Sequence, residues 1–402
     1  MTALTIQEPN PGGLPLRIIH ITFNFPPEIG GVGQYVYNLS DHVKKRGIEV
    51  VVITLPTTAS LRQLKPKPFP VFAVKVLRLP FSDPIPLNLF GLLRTLVKTQ
   101  KFNVLHLHGH FYFLSFFGAL FSKLLNIPYV VTHHGEGLQS SLVSRINGHL
   151  RRSLIAKYVL GHSKMVISVT QNEVAALTGK YGISKDKITV IPNGVNIDHF
   201  NSSPPIFNEI FPSEWRHKKV VLSGGVLARW KGFEYLIRAM NLVVNEYGDA
   251  RLIITGDGPD RLRLQGVVNS LGIGNFVMFT GRIETDLIPS FYSLSYMYVL
   301  PSIYDVCPTT VLEAMASKKP VVVTSNGGQR ELIADNVNGI VVPPANVESL
   351  CKAILTLLSF EELALKMGIE GKKIAEEKFQ WSTLGDKILQ EYRNLVPFND
   401  VK

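Results

Sequence analysis

Short β-branched runs alternate with amphipathic stretches along almost the whole chain, and this alternation restricts the fold more than any other feature. Ile18–Thr22, Val50–Leu55, Val71–Leu79, Val104–His108, Tyr129–Thr132, Met165–Thr170 and Ile188–Ile191 read as strands in the first half. Val220–Ser223, Arg251–Thr255, Phe276–Thr280, Tyr296–Leu300, Pro320–Thr324 and Gly339–Val342 read as strands in the second. Strands that are apolar at every position are buried on both faces, and the amphipathic stretches between them supply the covering helices. The expectation is an α/β protein with two doubly wound parallel sheets.

One helix shows the logic. Val32, Tyr35, Val36, Leu39 and Val43 recur at three- and four-residue spacing and predict a single apolar face. Lys44, Lys45 and Arg46 fill its last turn, where cations complement the helix dipole, and Gly47 follows as a left-handed cap.

A chain of 402 residues exceeds what one core organises. Asn196–Lys219, with Asn201-Ser-Ser-Pro-Pro and Pro212-Ser213, breaks the alternation and reads as the connection between domains. The boundaries predicted are 1–197 for an N-terminal domain and 198–379 for a C-terminal one, with 198–219 as linker. No repeat of 20–50 residues is visible.

Residues 1–200 hold twenty-one Lys and Arg against nine Asp and Glu, whereas residues 201–402 hold twenty-one against twenty-two. The positive field belongs to the first half, which suits an anionic partner such as a membrane surface; an ordinary basic domain would look the same. Those basic residues are scattered, without a stacking platform or a reading helix, so no nucleic acid is expected. Two cysteines, Cys307 and Cys351, are too few for a disulfide framework and suit a reducing cytoplasm. No secretory signal is visible, and the most apolar window, His110–Phe121, is too short to span a bilayer.

Five stretches carry chemistry. Pro26-Pro-Glu-Ile-Gly-Gly-Val-Gly33 opens the first helix, where glycines admit a ligand to the backbone and unpaired amides face it; Val36 stands where a dinucleotide fingerprint needs glycine. Thr132-His-His-Gly-Glu136 ends a strand, where His134 could orient a sugar hydroxyl, accept a proton or simply cap the strand. Ser223-Gly-Gly-Val-Leu-Ala-Arg-Trp-Lys-Gly232 sets Arg229 and Lys231 beside two glycines, as a diphosphate cradle or as solvated charges. Gly256-Asp-Gly-Pro259 reads as a turn, and its carboxylates are too few for a metal. In Pro301–Ala316, Asp305 precedes a helix and Glu313 falls in its first turn, facing a ligand or closing a capping box with Thr310.

The ordered series resembles the GT4 family of retaining glycosyltransferases (glycosyltransferase group 1) over nearly the whole chain. It runs from the glycine loop through Thr132-x-His134-Gly135, Ile191-Pro-Asn-Gly-Val195, Gly225, Lys231-Gly232 and Gly256-Asp-Gly-Pro259. Pro301-Ser302, Glu313-Ala-Met-Ala316, Gly327-Gly-x-x-Glu331 and Asn338-Gly339 complete it. The resemblance implies a GT-B fold of two Rossmann-like domains facing a cleft, with a terminal helix, about 380–402, crossing back onto the N-terminal domain.

It also implies a nucleotide-sugar donor, UDP- or GDP-linked, no cofactor and no metal, and a carbohydrate acceptor on the N-terminal domain; the charge asymmetry adds the expectation of a lipid-linked or phosphorylated acceptor. Lys231, helped by Arg229, would hold the diphosphate, Glu313 the ribose and Asp305 the sugar. Arg282 and Ile283 would read the base, Thr309 and Thr310 the phosphates, Gly31 and Gly225 would admit them, and His134 would face the reacting sugar. Three positions depart from the family pattern: Asp305 stands for Glu, Val226 for Arg and Pro308 for Gly. A nucleotide-sugar epimerase, a phosphorylase or a non-catalytic sugar-nucleotide binder on the same fold are the rival expectations.

Overall fold

The computed structural model describes residues 15–26, 30–56, 67–78, 83–135, 142–201 and 211–396, with side chains 142–151 excepted. Pro27–Ile29 of the glycine loop, Leu79, Glu136, residues 202–210 of the linker and the last six residues lie outside it.

The strands are β1 (Arg17–Thr22), β2 (Glu49–Thr54), β3 (Val71–Ala73), β4 (Val76–Leu77), β5 (Ile85–Pro86), β6 (Val104–His108), β7 (Tyr129–His133), β8 (Met165–Ser168) and β9 (Ile188–Val190) in the first half. The second half holds β10 (Lys219–Gly224), β11 (Ala250–Thr255), β12 (Val277–Gly281), β13 (Met297–Leu300), β14 (Val321–Thr324) and β15 (Gly339–Val342). Two parallel sheets result, in the orders β3-β2-β1-β6-β7-β8-β9 and β12-β11-β10-β13-β14-β15. The predicted run Val71–Leu79 is a correction. Its first three residues pair with β2 as β3, but the chain then leaves the sheet, and β4 pairs antiparallel with β5.

Each sheet reverses its winding beside its first strand, between β1 and β6 and between β10 and β13. A doubly wound sheet leaves a crevice there, beyond the strand C-termini.

The helix Gly31–Lys45 forms as its spacing predicts. Tyr35, Val36, Leu39 and Val43 are fully buried, and Gly47 turns at φ +76°. The helix Trp381–Leu395 packs against it, so the C-terminal end returns to the first sheet. The crossing is stitched at Val195, whose N–H donates to Phe379 O at 2.8 Å and whose carbonyl accepts from Trp381 N at 3.2 Å. Gly194 is needed there, because a Cβ would lie 2.8 Å from the Trp381 ring.

Candidate active site

The second half's share of the candidate site is assembled at the ends of β10 and β13. Gly225 leaves β10 at φ +139°, and a Cβ on it would lie 3.9 Å from Lys231 Cε, so the lysine stem passes directly over this glycine. Arg229–Lys231 is a single 3-10 turn closed by Gly232 at φ +67°. A Cβ on Gly232 would sit 2.0 Å from Pro301 O, and Ile303 N donates to Trp230 O at 2.8 Å, so the turn is held against the β13 exit. This fixes Lys231 Nζ 2.5 Å from Asp305 Oδ2. Arg229 begins the same turn but is exposed and makes no ion pair among the described residues.

Asp305 is itself held. Its Oδ1 accepts from Val306 N at 3.1 Å and its carbonyl from Gly328 N at 2.9 Å. Gly327, at φ +78°, allows that approach, since a Cβ would lie 2.2 Å from Asp305 O.

The helix Thr309–Ala316 follows with Pro308 as its N-cap and no side-chain cap. Thr309 and Thr310 therefore offer first-turn amides that have no acceptor within the helix. Glu313 corrects both readings of it as a first-turn group. It stands in the second turn and does not close a capping box with Thr310. Instead Tyr292 Oη lies 2.9 Å from Glu313 Oε2 and 3.0 Å from Thr310 O. Burial outweighs the Tyr292 hydrogen bond and pushes the carboxyl up to about 7. Arg282 and Ile283 come directly after β12, on the same edge of the sheet.

On the facing side, Gly31 begins its helix exposed, with open space around its Cβ position. Six of the eleven histidines gather where β1, β6 and β7 end: His20, His106, His108, His110, His133 and His134. Strand alternation sorts them. His20 pairs in register with His106, and His108 with Thr132, so all four side chains share the face covered by the terminal helix. His106 is held by Tyr392 from that helix at 2.5 Å and by Thr132 at 2.7 Å. His133 falls on the opposite face, where its Nε2 donates to Glu173 at 2.7 Å.

The two halves touch at several points that the sequence reading did not single out. The Tyr304 hydroxyl donates to Glu173, across the cleft from the Asp305 loop. Burial raises the Glu173 carboxyl, but hydrogen bonds from His133 and Tyr304 hold it net below its ordinary value. Asn193 Nδ2 donates to Cys307 O at 2.5 Å. Glu331 accepts from Thr170 Oγ1 at 2.9 Å, Gln171 N at 2.9 Å and Asn172 N at 2.7 Å. Asn193, Tyr304 and Glu331 lie in stretches the sequence singles out, though not for these contacts; nothing in the local sequence marks Glu173.

Two family models match in succession. One, described as Glycosyltransferase Family 4, takes residues 29–199, and one described as Glycosyl transferases group 1 takes residues 207–374. The chain belongs to the group 1 glycosyltransferases. This glycosyltransferase is 28% identical to an uncharacterized glycosyltransferase of Methanocaldococcus jannaschii, over 94% of its own length and 98% of that protein. It is 27% identical to a GDP-mannose-dependent alpha-(1-6)-phosphatidylinositol monomannoside mannosyltransferase of Mycobacterium tuberculosis, over 56% of this chain and 59% of the other. Its fold superposes with a TM-score of 0.78 on HepE of Anabaena in complex with UDP-glucose, at 21% identity over 94% of this chain and all of that one. The fold is GT-B.

Proposed function

We propose that this glycosyltransferase transfers a hexose, with retention, from a UDP- or GDP-sugar to a hydroxyl acceptor that is lipid-linked or phosphorylated. The observation that carries this reading is the packing of Lys231 against Asp305 at the entrance of the helix Thr309–Ala316. A diphosphate arriving there takes Lys231 from Asp305 and meets the Thr309 and Thr310 amides at the positive end of the helix dipole. Asp305 is then free to accept from a sugar hydroxyl, and Glu313 lies one turn further in for the ribose. Positive charge already in place where the leaving diphosphate develops its own is the largest catalytic contribution in many enzymes. Lys231, with Arg229 beside it, supplies that charge without a metal ion. The acceptor oxygen bonds to the anomeric carbon on the face the diphosphate leaves, and a released phosphate oxygen takes the acceptor proton.

The neighbour with UDP-glucose and the GDP-mannose-dependent relative support a nucleotide-sugar donor. The relative that acts on a phosphatidylinositol mannoside supports a lipid acceptor. The surface of the N-terminal half agrees. Leu87 is 63% and Leu124 is 66% exposed, beside a ring pair of Phe90 and Phe121 5.0 Å apart. Lys98 and Lys123 lie on the same two helices. Such a surface docks on an anionic leaflet from the cytoplasmic side. Among the described residues no helix is long and apolar enough to cross a membrane.

A thermal-shift panel of UDP-, GDP- and ADP-sugars tests the donor, since a ligand at a hundred times its Kd stabilises by about 2.7 kcal/mol. NMR of the product's anomeric configuration tests retention. Stabilisation by none of the panel, or an inverted product, overturns the proposal. Turnover of the donor without acceptor would point to an epimerase, and binding with no turnover to a non-catalytic subunit.

A further inference from the structure

His20, His108 and His134 form a file of imidazoles running from the interior of the first sheet to the cleft. His20 Nδ1 lies 2.9 Å from His108 Nε2, and His108 Nδ1 lies 3.3 Å from His134 Nε2. At the inner end, His20 Nε2 is buried and has no hydrogen-bond partner among the described residues. At the outer end, the His134 side chain is partly exposed, and its Nδ1 makes no hydrogen bond among the described residues.

Burial holds all three imidazoles below their ordinary value, His20 and His134 to about 3, so each carries a single ring proton at neutral pH. Three protons must then serve two contacts, and each contact uses one N–H. The third N–H stands at one end of the file. On His20 Nε2 it would be a buried donor without an acceptor, which folded proteins almost never contain, while an unpaired acceptor there costs less. On His134 Nδ1 it stands at the half-buried end of the file, just past the C-terminal end of β7. Burial of the inner end therefore decides the direction in which every proton in the file points.

A shared cation is the competing use of these rings, because nitrogens of His20, His106 and His108 lie within 4.8 Å of one another. Both nitrogens of His106 are occupied, by Tyr392 and Thr132, and both of His108 by its neighbours in the file. Only His20 Nε2 is left for an ion without breaking a hydrogen bond. The cluster is organised as a proton-ordered file.

We infer that His20 and His108 are positioning residues that lock His134 in the tautomer bearing a proton on Nδ1. His134 then donates a hydrogen bond to an oxygen of the bound sugar and does not act as a base. The second step rests on the proposed function, which sets the donor sugar against His134; the direction of the file does not.

Histidine-selective 15N labelling of the full chain, read by two-bond 1H–15N correlation, separates the two neutral tautomers without needing turnover. Wild-type His134, assigned by loss of its signal in His134→Gln, is expected to show the Nδ1–H pattern. His108→Leu, which removes the donor to His134 Nε2, is expected to give both patterns. A wild-type Nε2–H pattern overturns the inference, and so does an unchanged pattern in His108→Leu. Should His108→Leu fail to fold, the wild-type pattern alone decides. For the functional half, His134→Asn, whose amide can donate from the position of Nδ1, is expected to retain roughly tenfold more transfer than His134→Asp, which can only accept. Equal activity of those two variants, with the Nδ1–H pattern intact, overturns the role at the sugar and leaves the file standing.

Discussion

Lys231 and Asp305 neutralise each other at the entrance of the site: Nζ and Oδ2 are 2.5 Å apart, with each side chain 17% exposed. Two groups proposed to hold different parts of one donor are thus each other's partner before it arrives. The pair keeps a partly buried ammonium satisfied, and a diphosphate can compete for it because it brings more negative charge and more acceptor oxygens. Removing the lysine should act on the transition state more than on the ground state. Lys231→Ala is expected to lower kcat by roughly 10²–10³-fold, the range for loss of one preorganised stabilising group. Steady-state kinetics check this, and an unchanged kcat refutes it.

Asp305→Asn separates the two roles of that carboxylate. Lys231 loses its competitor, so the free nucleoside diphosphate should bind more tightly than to wild type, while sugar transfer slows. Calorimetry with the diphosphate and kinetics with the sugar donor should move in opposite directions. Movement in the same direction would mean that Asp305 does not alternate between lysine and sugar.

On the proposed function, Glu313 should make nucleotide binding depend on pH. Burial raises its carboxyl from 4.5 to about 7, so between those values the folded protein holds a proton that the unfolded chain has lost. Stability from this group therefore falls as pH rises through that window and is lowest above it. Binding is expected to run the other way, because in the proposed complex the ionised carboxylate would accept from ribose hydroxyls. Donor affinity is expected to rise as pH passes through about 7, and Glu313→Gln to flatten the profile. Tyr292→Phe removes the hydrogen bond that opposes burial and should shift the profile upward. A Glu313→Gln profile identical to wild type would exclude this carboxyl as the source.

Gly135 sets how closely the halves approach. It adopts φ +88°, and a Cβ there would lie 2.3 Å from Val306 Cγ2 across the cleft. Gly135→Ala should wedge the contact open, with roughly 1–2 kcal/mol of backbone strain added by the left-handed conformation. Transfer should fall while nucleotide affinity, which the proposed function assigns to the other half, changes little. Small-angle scattering should show a larger radius of gyration; an unchanged radius with full activity contradicts the closure.

The basic half should bind anionic vesicles and release them as salt rises, with Leu124→Asp weakening the contact. Co-sedimentation with anionic and neutral vesicles at low salt decides it. Equal binding to both removes the membrane surface as a partner.

Much of the architecture was legible because it is written in local periodicity. Apolar strand runs and the Val32–Val43 spacing identify parallel sheets and their helices without reference to any distant residue. The candidate-site loops were legible for a related reason. Gly225, Gly232, Gly327 and the Lys231 turn stand at strand exits, where a doubly wound sheet must place a site. Glu313 was misplaced by one helical turn, because the helix starts at Thr309 with proline as its cap and the Thr310-x-x-Glu313 pattern imitates a helix start. The cross-cleft contacts of Tyr304 with Glu173 and of Glu331 with Thr170 join residues 131 and 161 positions apart. The histidine file joins three strands. Sequence by itself determined the two sheets, the family and the loops that line the cleft, since each depends on residues near one another in the chain. Tertiary structure alone decided which charges pair, how the halves meet and which way His134 holds its proton, because those follow from burial and from neighbours that only strand order brings together.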